Sequence, residues 1–375
     1  MLEREYAPAG TENLLLTDII KQKIGEQGPI SFHDFMEMAL YYPGLGYYTS
    51  VQDKIGANGD FYTSPNLTPA FGAAIARQIE QMWDILGSKN FTIVEYGAGT
   101  GMLCRDILDY FKCNRTLYDH LDYCIIEKSP SMRQKQQGLL SEKVKWYYST
   151  REIANLTGCI LSNELLDNFS VHQVVMEDEL MEVFVDYENG FIELLRPAAA
   201  TLKNYLKEQN VVLPKGFRTE INLEAVKWIA EVAASIKRGY VITIDYGYPS
   251  NELYHERRSQ GTTVCYHRHA ISENPFDDIG KQDITSHVNF SALCHWGFKH
   301  GLACCGLTTQ AGFLLSLGIK ELLRVHLNDH DNPLKMARKE ALLTYTLLVD
   351  MGIKYKVLIQ RKGVAANKLA GLNFS

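Results

Sequence analysis

Three groups of residues have the types and spacing to do chemistry. The first is Glu95-Tyr96-Gly97-Ala98-Gly99-Thr100-Gly101, between a β-rich run, FTIVEYG, and a helical run, MLCRDILDYF. Glycines there let the backbone turn sharply and approach a ligand with no Cβ in the way. The dinucleotide fingerprint GxGxxG uses its third glycine for close helix–strand packing; Met102 holds that place, and the pattern is instead E-x-G-x-G. That form fits the nucleoside-binding loop of S-adenosylmethionine enzymes better than a nicotinamide site. A tight strand-to-helix turn with no ligand is the bland alternative. The second group is a single acid, Glu127, ending the apolar run DYCIIE. A carboxylate at that place accepts hydrogen bonds from both ribose hydroxyls of a nucleoside, although an acid at a strand end is often only solvated. It lies further from Gly97 than the ~20 residues usual in dinucleotide folds. The third group is LSNELLDN, where Asn163, Glu164 and Asp167 follow a fourth apolar strand. In an open α/β sheet ligands sit beyond the carboxyl ends of strands, which would gather these side chains near the reactive end of a cofactor. Their plain reading is a helix start, with Asn163 as cap and the acids on the dipole.

The elements that must position these groups read as alternating strands and helices. Strands are expected at 91–97, 122–128, 143–148, 158–164, 239–247 and 354–362, and helices at 69–87, 102–111, 199–209, 222–237, 290–302, 311–325 and 334–351. Residues 14–27 and 31–41 have helical spacing, with Ser31 as a plausible N-cap. A glycine- and tyrosine-rich stretch from Pro43 to Asn66 has no clear period, and loops of that length are often functional. Residues 171–195 read as a β-hairpin insertion and 248–290 as loop-rich. The pattern predicts an α/β fold, a parallel sheet with helices on both faces. The expected division is an N-terminal helical region and lid loop over 1–87, then a Rossmann-like domain over 88–375 with inserts at about 171–220 and 248–300.

Composition bounds the function. The chain has 375 residues, 46% of them hydrophobic, and a net charge of −6, so nothing attracts nucleic acid wholesale. No stretch approaches the ~18–20 apolar residues of a membrane span. Acids at Glu3, Glu5, Glu12 and Asp18 argue against a secretory or mitochondrial presequence in the N-terminal region, which reads as cytoplasmic, or as mitochondrial matrix only if a presequence has been removed. The eight cysteines form no CxxC pair and read as reduced thiols.

Together the motifs resemble the MidA-like family of class I S-adenosylmethionine-dependent methyltransferases, which includes a mitochondrial protein arginine methyltransferase needed for respiratory complex I assembly. The resemblance rests on FMEMALYYPGLGYYTS (35–50), NGDFYTSP (58–65), EYGAGTG (95–101), SNELLDNFSVH (162–172), IDYGY (244–248), QDITSHVNF (282–290) and TTQAGFLLSLGI (308–319), in family order. Two positions depart from it: Ser170 stands where proline is usual, and Asn289 where aspartate is common. The resemblance implies a Rossmann-like seven-stranded methyltransferase sheet with an N-terminal helical extension and inserts after the fourth and fifth strands. It implies that Glu95, Gly97, Ala98, Gly99 and Gly101 line the methionine and ribose portions of S-adenosyl-L-methionine and that Glu127 holds the ribose. Asn163 would sit beside the amino-acid portion or sulfonium, and the GDFYTSP segment, with Asp60 and Thr63, would fold over the cofactor. The acceptor would be a protein, its arginine guanidinium gripped by Glu164 first, with Asp167 or Asp60 second; S-adenosyl-L-homocysteine would be the product.

Other constellations carry less. His172 and His287 could relay a proton, but are as readily structural. His295, His300, Cys304 and Cys305, or Cys265 with His267 and His269, lack the paired spacing of structural zinc, so no metal is expected. Ser64 lies in TSP rather than GxSxG. Tyr41, Tyr42, Tyr47 and Tyr48 could wall a cation site or simply pack. A cofactor-binding assembly factor without turnover, a small-molecule methyltransferase and, more distantly, an NAD enzyme are the alternatives.

Overall fold

The computed structural model describes residues 15–50, 63–87, 90–140, 143–153, 155–267, 270–327 and 333–373. Asp60 and most of the GDFYTSP segment lie outside them.

An eight-stranded sheet runs through the molecule. Seven of its strands follow one another: β1 (Phe91–Tyr96), β2 (Leu121–Ile126), β3 (Val144–Tyr147), β4 (Leu156–Asn163), β5 (Ile236–Tyr248), β6 (Ala303–Thr309) and β7 (Tyr355–Lys362). Their spatial order is β6-β7-β5-β4-β1-β2-β3, and a two-residue strand, Val288–Asn289, pairs in parallel with the end of β5. The pairs from β3 through β5 are all parallel, whereas β7 runs antiparallel to both β5 and β6.

Apolar runs without alternation make these strands, because both faces are covered. Adjacent Ile93 and Val94 of β1 are each fully buried, yet Ile93 joins Phe71 and Ile107 on one side while Val94 joins Ile160 and Trp228 on the other. The first side is roofed by α3 (Pro69–Leu86) and α4 (Met102–Phe111); the second by the helix Leu223–Ser235. A separate core joins α1 (Leu16–Gln27) and α2 (Phe32–Tyr41) to a five-stranded sheet: Phe32, Phe35 and Met36 pack with Val183 and Val185. Ser31 caps α2 as expected, accepting a hydrogen bond from the Asp34 amide at 3.1 Å.

The structure departs from the sequence reading at several places. Strand β6 is absent from that reading, since ACCGLTT shows no alternation and carries a bulge between Cys304 and Gly306. The loop-rich region holds a three-stranded sheet, Val264–His267, Ala270–Ser272 and Asp283–Thr285, whose strands are too short to show a period. The helix expected over 334–351 is α6 (Pro333–Tyr345) followed by a π-helical turn, Thr346–Asp350, and a last turn, Met351–Lys354. The polar connection before β2 folds as the short helix Arg115–His120, capped by Asn114.

Candidate active site

The carboxyl ends of β1, β2, β4 and β5 open onto a cleft of about 1530 Å³. Its floor on one side is the glycine loop. Gly97 and Gly101 hold φ of 62° and 82°, a region closed to most side chains. A Cβ on Gly97 would stand 2.8 Å from Leu165 Cδ1, and one on Gly101 3.3 Å from Leu140 Cδ1. The positive φ and the leucine side chains pressed against both positions favour glycine, so the turn presents bare backbone at the start of α4.

Glu95 lies beneath this loop, 2% exposed, and accepts a 2.7 Å hydrogen bond from the Tyr123 hydroxyl. Burial pushes its carboxyl up to about 7 against that hydrogen bond, and the charge of Glu127 adds to the rise. Glu127, just after β2, receives the Ser129 amide at 2.9 Å on Oε1 and Gln136 Nε2 at 3.0 Å on Oε2. Burial raises its carboxyl too, with both hydrogen bonds opposing. Gln136, on the helix α5 (Pro130–Leu139), was not singled out from the sequence. It is fully buried, donates also to the Gly99 carbonyl at 2.9 Å, and accepts from Trp146 Nε1 at 2.9 Å. One amide thus ties the glycine loop to Glu127. In a run reading RQKQQ, nothing but helical phase distinguishes it from its polar neighbours.

Across the cleft, a cluster of carboxylates stands on the loop after β4. Glu164 adopts φ 51°, unusual for a non-glycine residue. Its Oε2 accepts from the Tyr355 hydroxyl at 2.9 Å, and its Oε1 from Asn163 Nδ2 at 3.2 Å and the Ser64 amide at 3.4 Å. Asp167 accepts from the Tyr246 hydroxyl at 2.7 Å on Oδ2. Burial pushes Glu164 up to about 7, with the Asp167 charge adding, and Asp167 up to about 6. Asp245, at the end of β5, accepts the Leu165 and Leu166 amides at 3.2 and 2.9 Å and so shapes the loop carrying both acids. Its carboxyl is raised well above the usual range, by burial first and then by Asp167. Asp245, Tyr246 and Tyr355 escaped the sequence reading as site residues, although IDYGY had been noted as a motif.

Thr63 reaches the glycine loop indirectly: its hydroxyl donates to Asn66 Oδ1 at 2.5 Å, and Asn66 donates to Thr100 Oγ1 at 3.4 Å. Tyr41 and Tyr48 line the cleft with rings stacked 5.6 Å apart, whereas Tyr47 is fully buried in the N-terminal core. His287 also faces the cleft, where burial and Arg258 hold its imidazole down at about 4, so it is neutral near pH 7. His172 lies elsewhere: it pairs with Glu182 at 2.7 Å and stacks on His33 at 4.6 Å. Ser170 donates to Glu37, and Asn289 caps the helix Phe290–Lys299, so both serve local structure. Ser64 Oγ touches Met351 Sδ and Gln310 rather than a base. Cys294 and Cys304 face each other at 3.6 Å; among the described residues no three metal-ligating side chains gather.

The model of a family of S-adenosyl-L-methionine-dependent methyltransferases matches residues 74–308, which carry the glycine loop, Glu127 and the carboxylate cluster. The chain belongs to this MidA-like family. It is a methyltransferase that uses S-adenosyl-L-methionine. A Burkholderia thailandensis superfamily member crystallised with S-adenosyl-homocysteine is 31% identical, with a TM-score of 0.86, over 96% of this chain and 94% of that one. Curated relatives include the zebrafish "Protein arginine methyltransferase NDUFAF7, mitochondrial", 27% identical over 88% of this chain and 82% of its own length. The human protein of that name is 25% identical over 88% of this chain and 78% of its own. These relatives, with those of fruit fly and cattle, are named mitochondrial, which overturns the cytoplasmic expectation. The acids of the N-terminal region were too weak a signal for compartment.

The cleft fits the methyl donor. Gly97, Ala98 and Gly99 line it with positive φ at both glycines, so backbone rather than bulky side chains faces a ligand there. Asn163 Oδ1 is a buried acceptor with no hydrogen-bond partner among the described residues, suited to an ammonium.

Proposed function

We propose that this methyltransferase acts on the guanidinium of a protein arginine. The observation that carries the reading is the pair of carboxylates Glu164 and Asp167, which line the same cleft as the glycine loop, with Asp245 buried behind them. Acids held at close quarters in a poorly hydrated site repel one another, and a cation entering beside Glu164 and Asp167 relieves that repulsion. The names of the curated relatives support arginine as the cation.

In this reading Glu95, Gly97, Ala98, Gly99 and Gly101 hold the methionine and ribose portions of the donor, Glu127 the ribose, and Asn163 the α-ammonium. Thr63 would belong to a covering segment, whose Asp60 lies outside the described residues. When bound, the donor supplies a methyl group on a cationic sulfur, transferred by in-line displacement. The chain's own part is alignment and exclusion of water. Glu164 and Asp167 grip the planar guanidinium, a cation with pKa above ~12, and draw its charge toward the nitrogens that do not react. That leaves the third nitrogen oriented toward the donor with more of its electron pair available. The proton that leaves the methylated nitrogen can pass to Glu164, whose carboxyl burial holds up at about 7, rather than to His287, held down at about 4.

The fold reading that accompanies this is a seven-stranded methyltransferase sheet, β1 to β7, with Val288–Asn289 as an accessory pair. In the same reading 1–87 would be the N-terminal region with its lid, of which 15–50 and 63–87 are described, and 171–220 and 248–300 would be the inserts. The test is methyl transfer from radiolabelled donor into host protein fractions, complex I subunits first, followed by hydrolysis and amino-acid analysis. Label recovered as methylarginine supports the proposal; label in lysine, in a carboxyl ester or in a small molecule defeats it.

A further inference from the structure

We propose that Tyr246 and Tyr355 are positioning residues: they fix Asp167 and Glu164 so that Asp167 Oδ1 is presented as the acceptor for the N–H fork of an incoming guanidinium. The proposal rests on the arginine reading above and adds which atom receives the substrate and what holds it there.

The two phenols form one unit. Tyr246 of β5 and Tyr355 of β7 are register partners, with rings 5.4 Å apart and inclined at 65°. Each occupies one oxygen of one carboxylate, Asp167 Oδ2 at 2.7 Å and Glu164 Oε2 at 2.9 Å. A carboxylate anchored at one oxygen has its plane set, and the other oxygen then points in a defined direction. For Glu164 that second oxygen already accepts from Asn163 and Ser64. For Asp167, Oδ1 is buried and has no hydrogen-bond partner within bonding geometry among the described residues, on a residue only 6% exposed that lines the cleft.

Buried acceptors are nearly always satisfied, and one left open at a cleft calls for a donor. Asn163 Oδ1 on the same wall belongs, in the reading above, to the ammonium of the donor, which leaves Asp167 Oδ1 for the methyl acceptor. A guanidinium presents five N–H donors in one plane to such an oxygen, whereas a hydroxyl offers one.

The charged surroundings agree. The acids Glu164 and Asp245 face Asp167 from the β4 loop and β5, and Asp283 and Glu37 line the same cleft from the strand Asp283–Thr285 and α2. The phenols of Tyr41, Tyr48 and Tyr266 feel its charge from the N-terminal segment and the strand Val264–His267. His287 lies edge-on to Tyr246, and Lys354 stands at the cleft wall. Both phenol hydrogen bonds favour the ionised carboxylates, so removing either makes its partner harder to ionise.

The test is calorimetric titration of the S-adenosyl-homocysteine-loaded protein with an N-acetyl, C-amidated Gly-Arg-Gly tripeptide, and with its lysine counterpart, from pH 5.5 to 9. The wild type is expected to bind the arginine peptide more tightly as pH rises through 6 to 7, and the lysine peptide at least about tenfold more weakly. Tyr246→Phe and Tyr355→Phe should each weaken arginine binding about tenfold at pH 7, move the pH midpoint up by half a unit or more, and approach the wild type by pH 9. Affinity for S-adenosyl-homocysteine should stay within about twofold, which also reports an intact fold. Unchanged midpoints in both variants, or a loss of S-adenosyl-homocysteine affinity in parallel, would overturn the positioning role while leaving the arginine reading in place. A wild type that holds S-adenosyl-homocysteine but binds neither peptide would remove the arginine reading and this proposal with it.

Discussion

Glu164 pairs an uncommon backbone conformation with an uncommon side-chain environment. At φ 51° a glycine would be more comfortable by about 1 kcal/mol. Glu164→Gly relieves that strain but strands the Tyr355 hydroxyl, Asn163 Nδ2 and the Ser64 amide. It is therefore expected to melt below the wild type and to lose at least about tenfold in turnover, a combination that differential scanning calorimetry and a methyl-transfer assay can read. The carboxyl is also pushed up to about 7 by burial. Between its ordinary value near 4.5 and that value the folded protein keeps a proton that the unfolded chain has released. Stability contributed at this position is accordingly present below pH 4.5 and falls as pH rises to 7. Glu164→Gln removes the cost of ionisation, so its melting-temperature gain should be near zero at pH 4.5 and largest above pH 7. A gain that is flat with pH would show that ionisation at Glu164 is not what costs stability. Gln136 makes the opposite kind of contribution. Replacing it with leucine strands Glu127 Oε2 and the Trp146 N–H, and should weaken S-adenosyl-homocysteine binding roughly tenfold, since each stranded buried group costs about 1–3 kcal/mol. Residues of this kind are hard to find in a sequence: Glu164 stood out because acids after an apolar strand are chemically loud, whereas Gln136 and Tyr355 matter through partners 9 and 191 positions away.

At the scale of elements, the glycine loop was the most legible part, because its residue types and its conformation are two views of one constraint. Gly97→Ala must place a Cβ 2.8 Å from Leu165 and hold φ 62°, so affinity for S-adenosyl-homocysteine should fall about a hundredfold by calorimetry. Near-wild-type affinity would mean the loop has another conformation when ligated. Strands β1, β2, β4 and β5 were legible because burial on both faces leaves uninterrupted apolar runs. Strand β6 was not, since ACCGLTT is half-exposed, bulged, and lies at the sheet's edge beyond β7. The π-helical turn Thr346–Asp350 was equally hidden, because it keeps the helical look of its sequence and changes only the phase. That change sits just ahead of Met351, Lys354 and Tyr355, all of which line the cleft.

For the whole molecule, the cleft collects side chains from α2, the glycine loop, α5's approach, the β4 loop, β5 and the start of β7. A ligand that touches so many elements should stabilise all of them together. At a hundredfold excess over its dissociation constant, S-adenosyl-homocysteine should add about 2.7 kcal/mol and raise the melting temperature by several degrees. NAD should leave it unchanged; an NAD-specific rise would contradict the family assignment. The direction of β7 has a consequence of its own. Because it runs opposite to its parallel neighbours, its first residue, not its last, arrives at the ligand edge, and Tyr355 meets Glu164 across 191 positions of chain. A ribosome making this protein thus delivers the donor loop, Glu127 and Gln136 early, and the phenol that steadies Glu164 only after roughly half the polypeptide has followed. The grip proposed for the methyl acceptor is the part of the site that translation completes last.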